Sequence, residues 1–494
     1  MTHPDPKQRK AWLDFRTIWR WHFYAGLFCI PFVWWLALTG SIYLFKPQIE
    51  SWLNRPYTHL TTAAARIAPY AEVRAALAAV PGSALDAYQL PRSPGDAAEI
   101  LVGRGSEETR VWIDPRTVRV LKAVPEDGRL MNVIFHLHGE LLLGDRGSMI
   151  VELAGSWAIV MLITGLYLWW PRNAQGLAGV LYPRLGRGSQ LFWRDIHGVT
   201  GVWVSATALV MLMSGLPWAK SWGSDLKEIR QLVSHKPVHQ DWPTGSGSEL
   251  AARAALSAGS LAGQGVGAQD TSGGMAGMSM PGMNMGGGSG SGPHVDGALP
   301  RGAYSAIDRM VPAVARLDLA YPVLITPPMR PGGPWGARSD AQDRPLRVTL
   351  TLDPKTGAVL KRKGFDQSGW VDRAVSVGIA AHEGQLFGWP NQLLNLFTAS
   401  GLFVASISAV VLWWRRRPHG VLGAPLPLGR LRFSTGLLAI IIILGVLLPL
   451  LGASMVAVFV LDRFVLRRIP GARTWLGLRG AANMVALRQQ MEKP

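Results

Sequence analysis

Long apolar runs that carry almost no charge dominate the hydropathy pattern of the chain. Each run is at or near the roughly 20 residues that about 30 Å of hydrocarbon requires. The runs cover residues 22–45, 148–170, 197–217, 391–414 and 434–461. Glu152 is the one acidic residue inside them. This pattern predicts an α-helical membrane protein with about five transmembrane helices.

A different pattern, typical of β-strands, repeats itself in the two long segments between these runs. Residues 111–121 and 351–360 both show β-forming residues, an Asp-Pro pair at a turn, and β-forming residues again. Helical patterns at Tyr70–Val80 and Tyr304–Leu317 precede them. We therefore expect two small α+β modules, each built from a helix and an antiparallel sheet.

The distribution of basic residues predicts how the chain is oriented. The formal net charge is +18, and clusters of basic residues stand at the ends of the apolar runs: before the first, between the second and third, and after the fourth. This positive-inside pattern predicts a cytoplasmic N-terminus, with both α+β modules on the outer side. Because membrane topology accounts for the charge, nucleic-acid binding is not expected.

The two halves then form a pseudo-twofold repeat of span, outer module and span, followed by a fifth span. Pro449 predicts a kink in that last span, and the pattern leaves the side of the C-terminus open. The predicted segments are a cytoplasmic N-terminus 1–21, span 22–46, module 47–130, an outer histidine segment with span 131–171, a cytoplasmic loop 172–196, span 197–217, module 218–375, an outer histidine segment with span 376–414, a cytoplasmic loop 415–433, span 434–462 and a basic tail 463–494.

Four histidines occupy equivalent positions in the two halves. The stretch from His138 to Gly144 aligns without a gap with His382 to Gly388, and a Trp-Trp pair follows each at the same spacing. His22 and His197 each begin a span at the cytoplasmic side. Parallel repeats place equivalent residues at the same depth, so each pair is expected to meet across the pseudo-twofold axis.

Such pairs have the composition of axial haem ligands. Neutral imidazole binds haem iron well, and helix bundles present such ligands from facing helices. The single cysteine, Cys29, excludes C-x-x-C-H attachment and cysteine-ligated clusters. We therefore predict two b-type haems, one between His22 and His197 and one between His138 and His382. The alternative for any one histidine is a hydrogen-bonded residue at the membrane interface.

Several nearby residues are weaker candidates for binding haem. His136 is the rival outer ligand, but Ala380 stands at its equivalent position. Arg20 and Arg194 are candidates to pair with haem propionates, although positive-inside topology also explains them. Glycines follow both histidines at the same spacings, Gly26 and Gly40 after His22 and Gly201 and Gly215 after His197. This repeat fits either a flat macrocycle or close helix packing.

A Gly-, Ser- and Ala-rich insertion at 244–300 has a composition that cannot bury a core and is expected to be a disordered loop. Thioether side chains prefer soft Cu(I), so its methionines are candidate copper ligands, against the alternative of a low-complexity insertion. They are Met275, Met278, Met280, Met283 and Met285.

No P-loop, H-E-x-x-H motif or dinucleotide-binding glycine motif is present in the sequence. The chain therefore has no recognisable module for taking a hydride from NAD(P)H. Quinol or a separate cytoplasmic reductase is the expected electron donor.

Taken together, these motifs resemble those of the PepSY-associated transmembrane family, which includes bacterial inner-membrane ferric-siderophore reductases and iron-regulated membrane proteins. The resemblance runs from about residue 15 to about residue 465. The residues that carry it are Trp21-His22, His138-Gly-Glu with Gly144, Gly165-Leu-Tyr-Leu-Trp-Trp-Pro-Arg172, Asp195-Ile-His197-Gly, the two Asp-Pro hairpins, and His382-Glu-Gly with Gly388 and Trp-Trp-Arg-Arg.

The resemblance implies two periplasmic PepSY modules on a haem-bearing bundle of the bacterial inner membrane, and an enzyme that reduces metal in the periplasm. The family favours ferric iron in a siderophore complex as substrate, whereas the methionines favour Cu(II). Two other functions stay open: a non-enzymatic copper-handling protein that uses the methionine-rich loop, and a PepSY-type regulator.

Overall fold

The computed structural model describes residues 15–60, 65–171, 176–234, 304–328, 332–425 and 435–478. Its α-helices are α1 (Phe15–Leu44), α2 (Lys46–Leu53), α3 (Pro69–Ala79), α4 (Leu130–Glu140), α5 (Asp145–Trp169), α6 (Ser189–Gly215), α7 (Lys220–Ser234), α8 (Ile307–Ala315), α9 (Trp370–His382), α10 (Trp389–Arg416), α11 (Thr435–Leu447), α12 (Pro449–Leu461) and α13 (Pro470–Trp475). The strands are β1 (Ala84–Gln89), β2 (Ala98–Arg104), β3 (Glu107–Ile113), β4 (Val120–Pro125), β5 (Val323–Thr326), β6 (Trp335–Ser339), β7 (Val348–Leu352) and β8 (Val359–Gly364).

Four long helices form a bundle in which α1 packs against α5 and α10, and α6 packs against the same two helices. Within the described residues, five helices are long and apolar enough to cross a membrane. Four of them are these bundle helices, and the fifth covers Pro449–Leu466. The prediction of a multi-pass α-helical membrane protein is confirmed, and lipid contact follows from it.

The eight strands form a single antiparallel sheet in the order β4-β3-β2-β1-β5-β6-β7-β8. Both predicted Asp-Pro hairpins are present, as β3–β4 and β7–β8. The two sets of four strands were expected as separate modules, but β1 pairs with β5 at Tyr88–Ile325 and Gln89–Leu324. The two modules therefore share one sheet.

One face of the sheet carries the apolar core of this region, where α3 and α8 cover residues such as Tyr88, Ile100 and Leu350. The other face carries Arg110, whose guanidinium binds Glu99 at 2.9 Å and Glu126 at 2.9 Å. Glu126 lies 2.7 Å from Arg129, which directly precedes α4. A buried ion network thus ties the sheet to the helix that carries His138.

The bundle has two chemically different ends. The sheet lies beside the ends of α1 and α6 at Leu44 and Gly215 and the starts of α5 and α10, and we call this the sheet end. The opposite end carries the arginines of the loops and helix termini, including Arg20, Arg194 and Arg417, and we call it the basic end.

The last apolar run differs from the single kinked span that Pro449 predicted. It forms two helices, α11 and α12, and the chain reverses between them: a Cβ on Gly452 would lie 2.5 Å from the carbonyl oxygen of Gly445. In a continuous helix these residues would be about 10 Å apart. Two glycines without side chains permit this contact, and Pro449 cannot donate the hydrogen bond that would continue α11.

The reversal determines where the end of the described chain lies. The apex packs near the sheet end, where the indole of Trp222 donates to Leu447 O at 3.0 Å. The segment after α12 returns to the basic end, where Tyr24 donates to Leu476 O at 2.7 Å. The basic residues after α12 are therefore on the same side as those of the other loops, in agreement with the positive-inside trend.

Candidate functional site: two facing histidine pairs

At the basic end, the structure brings the rings of His22 of α1 and His197 of α6 close together. Their ring centroids are 6.1 Å apart, and the ring planes are inclined by 73°. Nδ1 of His22 donates to the carbonyl of Met161 at 3.0 Å. Nδ1 of His197 donates to the carbonyl of Ala405 at 2.9 Å. Each ring is thus held by the helix beside its own.

At the sheet end, His138 of α4 and His382 of α9 form a second pair of nearly the same geometry. Their ring centroids are 6.3 Å apart, and the planes are inclined by 70°. Nδ1 of His382 donates to Met211 O at 2.8 Å. Nδ1 of His138 lies 2.9 Å from the hydroxyl of Thr39. That hydroxyl donates to Trp35 O, so its oxygen accepts from His138.

These hydrogen bonds determine which ring nitrogen is free to act as a ligand. A carbonyl only accepts, so Nδ1 carries the proton and Nε2 keeps its lone pair. Within the described part of the chain, the Nε2 atoms of His22, His197, His138 and His382 have no hydrogen-bond partner. All four rings are therefore in the tautomer that binds a metal through Nε2.

The spacing of each pair matches two ligands on one metal ion. A metal–imidazole nitrogen bond is about 2 Å long, so two rings bound through Nε2 have centroids roughly 6 Å apart. The described residues contain no group of three or more His, Cys, Asp or Glu side chains that could bind a metal. Two histidine ligands alone leave most coordination positions of a metal open, which would suit a metal whose other ligands come from a macrocycle, as in haem.

The hydroxyl groups beside the rings repeat between the halves as the histidines do. Thr164 lies 3.2 Å from Nδ1 of His22, and Ser408 lies 3.4 Å from Nδ1 of His197. At the sheet end, Ser214 takes the place of Thr39 and lies 3.2 Å from Nδ1 of His382. Sequence reasoning missed these four residues, although a Ser or Thr at equivalent positions of both halves was a readable signal.

Two of the repeated glycines make room for imidazole rings. A Cβ on Gly40 would lie 3.0 Å from Cε1 of His138, and one on Gly215 would lie 3.3 Å from Cε1 of His382. Gly165 plays the same part for His22, with a distance of 3.0 Å. Gly40 and Gly215 thus leave space for the rings of His138 and His382.

A cavity of about 250 Å³ opens beside the sheet-end pair. His138 and His382 line it, and it extends along α5 past Ala154 and Ala158 to Met161. Burial, and secondarily the neighbouring His382, lower the pKa of His138 to about 3. Burial also lowers the pKa of His382. Both rings are therefore neutral near pH 7, as metal ligation requires.

The other predicted site residues lie elsewhere. Nδ1 of His136 is 3.1 Å from Glu140, outside the facing pair. Arg20 donates through Nη1 to the carbonyls of Pro425 and Gly477, both at 3.1 Å. Arg194 is well exposed and lies 3.3 Å from Asp195. The methionines Met275, Met278, Met280, Met283 and Met285 lie outside the described residues.

The sequence matches the family model of the PepSY-associated TM region over residues 19–416. This range contains all four paired histidines, both halves of the sheet and the four bundle helices. No curated protein matches the chain.

Proposed function

Because the chain belongs to the family of the PepSY-associated TM region, we propose that it is a membrane electron-transfer protein that holds two b-type haems. His22 and His197 would bind one haem, and His138 and His382 would bind the other. Haem held by two imidazoles supplies reversible one-electron transfer.

One observation carries the proposal: the same pair geometry occurs twice. Centroid distances of 6.1 and 6.3 Å recur with protonated Nδ1 atoms and unpartnered Nε2 atoms at both ends. A hydrogen-bonded interfacial histidine needs neither a facing partner nor a free nitrogen. Bound Nδ1 protons fix ring orientation and raise ligand basicity, as they do in other metal sites.

The positions of the pairs suit transfer across a membrane. Seventeen residues of α1 separate His22 from Thr39, which at about 1.5 Å per residue is about 25 Å. The chain would therefore carry one electron carrier near each end of the bundle. With the basic end in the cytoplasm, the sheet end and its pair would face the periplasm of a bacterial inner membrane.

The proposed reaction is reduction of a metal complex at the periplasmic side, with ferric iron in a siderophore as substrate. One electron per ferric ion would arrive from quinol or from a cytoplasmic reductase. The second candidate substrate is Cu(II), because five methionines occur within residues 275–285 and thioethers bind the Cu(I) product. If that stretch only hands copper onward, the chain is a copper-handling protein instead.

The direct test is haem quantitation on detergent-purified full-length protein, oxidised and then reduced with dithionite. We expect about two low-spin b haems per chain, falling to about one in His22→Ala and to about one in His138→Ala. His136→Ala is the matched control, since its ring faces Glu140 rather than another histidine, and should keep both. Absence of haem from the wild type would reject the proposal and favour the metal-handling or regulatory reading.

A substrate assay then separates iron from copper. Protein reduced anaerobically is mixed with a ferric siderophore complex or with Cu(II), and haem reoxidation is followed by absorbance. Deletion of residues 270–290 should leave ferric reduction unchanged. If the deletion abolishes Cu(II) reduction alone, the methionines serve a copper substrate.

A further inference from the structure

Two asparagines of α10 hold the end of the helix that carries His382. The side-chain nitrogen of Asn395 donates to Ala381 O at 2.7 Å and to His382 O at 3.0 Å. These carbonyls belong to the last turn of α9, where C=O groups have no partner further along the helix. Ala381 O also accepts from Gly384 N, just beyond the helix, at 3.2 Å. Asn391 donates to Ala381 O at 3.2 Å and to Asn395 Oδ1 at 3.3 Å. Asn391 and Asn395 therefore cap α9 at His382, and we call these two residues the asparagine clamp.

Asn391 and Asn395 are buried polar residues on a largely apolar helix, which points to a specific role for their hydrogen bonds. Asn395 is 4% exposed and Asn391 is 6% exposed, and both lie on a membrane-spanning helix. A buried amide is costly unless its hydrogen-bonding groups are satisfied. Both N–H groups of Asn395 have acceptors and its oxygen has a donor. Asn395 also lines the cavity beside the histidines.

At the equivalent positions of the first half, no amide residue is present. When the two outer histidines are aligned, Val151 stands at the position of Asn395 and Gly147 at that of Asn391. Gly147 lies directly against α4, where a Cβ would clash with Glu140 O. The end of α4 is thus held by backbone contact, whereas the end of α9 is held by two side-chain amides.

We propose that Asn395 is a positioning residue for the sheet-end haem, acting through His382 and supported by Asn391. This inference rests on the proposed function. The ring of His382 reaches Met211 O only while the last turn of α9 keeps its place on α6. Loss of the two bonds from Asn395 frees that turn, and His382 then presents Nε2 less accurately to the metal.

The test compares full-length Asn395→Leu with Thr398→Val. Leucine keeps the number and branching of the side-chain heavy atoms of asparagine, although it is bulkier, and removes every hydrogen bond. Thr398 is 0% exposed and lies on the same helix, but its hydroxyl bonds Thr207 and Leu394 O, so it is a matched control. The readouts are haem content, the reduction potential of each haem and low-spin electron paramagnetic resonance signals. His138→Ala identifies which signals belong to the sheet-end haem.

Partners that orient a metal ligand typically contribute 10- to 100-fold to affinity. We expect Asn395→Leu to weaken retention of the sheet-end haem about 10-fold and to change its potential and resonance signal, with the basic-end haem unchanged. Asn391→Ala should shift the same signals less, which keeps the test decisive if Asn395→Leu does not fold. Thr398→Val should shift neither haem.

Normal sheet-end signals in Asn395→Leu would overturn the inference and leave the proposed function intact. Equal loss of both haems would also overturn it, because the amide would then serve the bundle as a whole. A wild type without haem would overturn the proposed function, and this inference with it.

Discussion

The basic-end pair and the sheet-end pair have nearly the same ring geometry but different scaffolds. His22 and His197 lie on α1 and α6, which cross the membrane themselves. His138 and His382 lie on short helices that follow the last strand of each half of the sheet. The basic-end pair reaches its centroid distance of 6.1 Å through the packing of the bundle helices alone. The sheet-end pair reaches 6.3 Å through short helices that are attached to the sheet.

The difference indicates what each pair depends on. Packing among four long helices sets the basic-end pair. The sheet-end pair additionally needs the ion network around Glu126, the asparagine clamp and the space beside Gly40 and Gly215. Changes at these positions should affect one pair and spare the other, and the predictions below use that selectivity.

The prediction with the largest expected effect concerns membrane topology: the sheet end and the basic end should face opposite sides of the membrane. The one native cysteine, Cys29, is buried, so single introduced cysteines can be labelled with little background. In intact spheroplasts, an impermeant maleimide should label Ser106→Cys in the β2–β3 turn and should not label Arg187→Cys or Arg468→Cys. All three should react after permeabilisation. Labelling of Arg468→Cys from outside would contradict the helical reversal at Gly445 and Gly452.

The next prediction concerns the ion network that attaches the sheet to α4. Glu126→Ala removes the carboxylate that Arg110 and Arg129 share, although Glu99 still pairs with Arg110 and Glu50 with Arg129. Removing one partner of a buried ion pair costs at most about 3–5 kcal/mol. We expect loss of the sheet-end haem at lower temperature in a thermal melt, with the basic-end haem retained. Glu107→Ala removes an exposed pair with Arg104 and should change stability by less than about 1 kcal/mol. Equal loss of both haems in Glu126→Ala would contradict selective dependence on the sheet.

The same carboxylate gives the sheet end a pH dependence. Burial alone would raise the pKa of Glu126, but Arg110 and then Arg129 outweigh it and hold the pKa at about 2, below the ordinary 4.5. A lowered pKa contributes stability that is present above about pH 4.5 and is lost as the pH falls toward 2. The sheet-end haem should therefore dissociate at a higher pH than the basic-end haem when the protein is acidified. In Glu126→Ala, the difference between these two pH values should be smaller. Simultaneous release from the wild type would contradict it.

A smaller, reciprocal effect is expected from the glycines that face the rings. Gly40→Val would place a Cβ 3.0 Å from Cε1 of His138, and Gly165→Val would place one 3.0 Å from Cε1 of His22. Overpacking of this kind costs about 1–3 kcal/mol. Gly40→Val should weaken only the sheet-end haem and Gly165→Val only the basic-end haem, as measured by absorbance and haem content. The control is Gly26→Ala, whose Cβ would be 3.8 Å from Met161. Identical spectra for the two valine variants would contradict the assignment of glycines to pairs.

Symmetry made the histidine pairs predictable from sequence. A residue kept at equivalent positions of two repeats must lie at one depth, so His22 could be assigned to His197 before any coordinates. The Asp-Pro hairpins were predictable because turn residues and strand alternation are local signals. The same reasoning could not find Asn395, because its equivalent is Val151 and the two halves differ there.

Long-range contacts account for the remaining differences. The pairing of β1 with β5 joins strands that are far apart in the chain, and no local sequence signal indicates that these two strands pair. The reversal between α11 and α12 depends on Gly445 meeting Gly452, whereas local reasoning at Pro449 predicted only a kink. Both features position the site, since one unites the sheet above the sheet-end pair and the other returns the chain to the basic end.

The smallest effect concerns Arg20, a candidate propionate partner whose guanidinium instead lies against Pro425 O and Gly477 O. A hydrogen bond from a charged donor contributes about 1.5–3 kcal/mol, and less where water competes, as it does at the partly buried Arg20. Arg20→Gln should therefore lower thermal stability slightly and expose the segment around Gly477 to proteolysis. The potential of the basic-end haem should stay unchanged, with Arg16→Gln as a control from the same helix. A changed potential without a change in proteolysis would restore the propionate role, because a guanidinium that pairs with a propionate stabilises charge at the haem rather than the fold of the C-terminal segment.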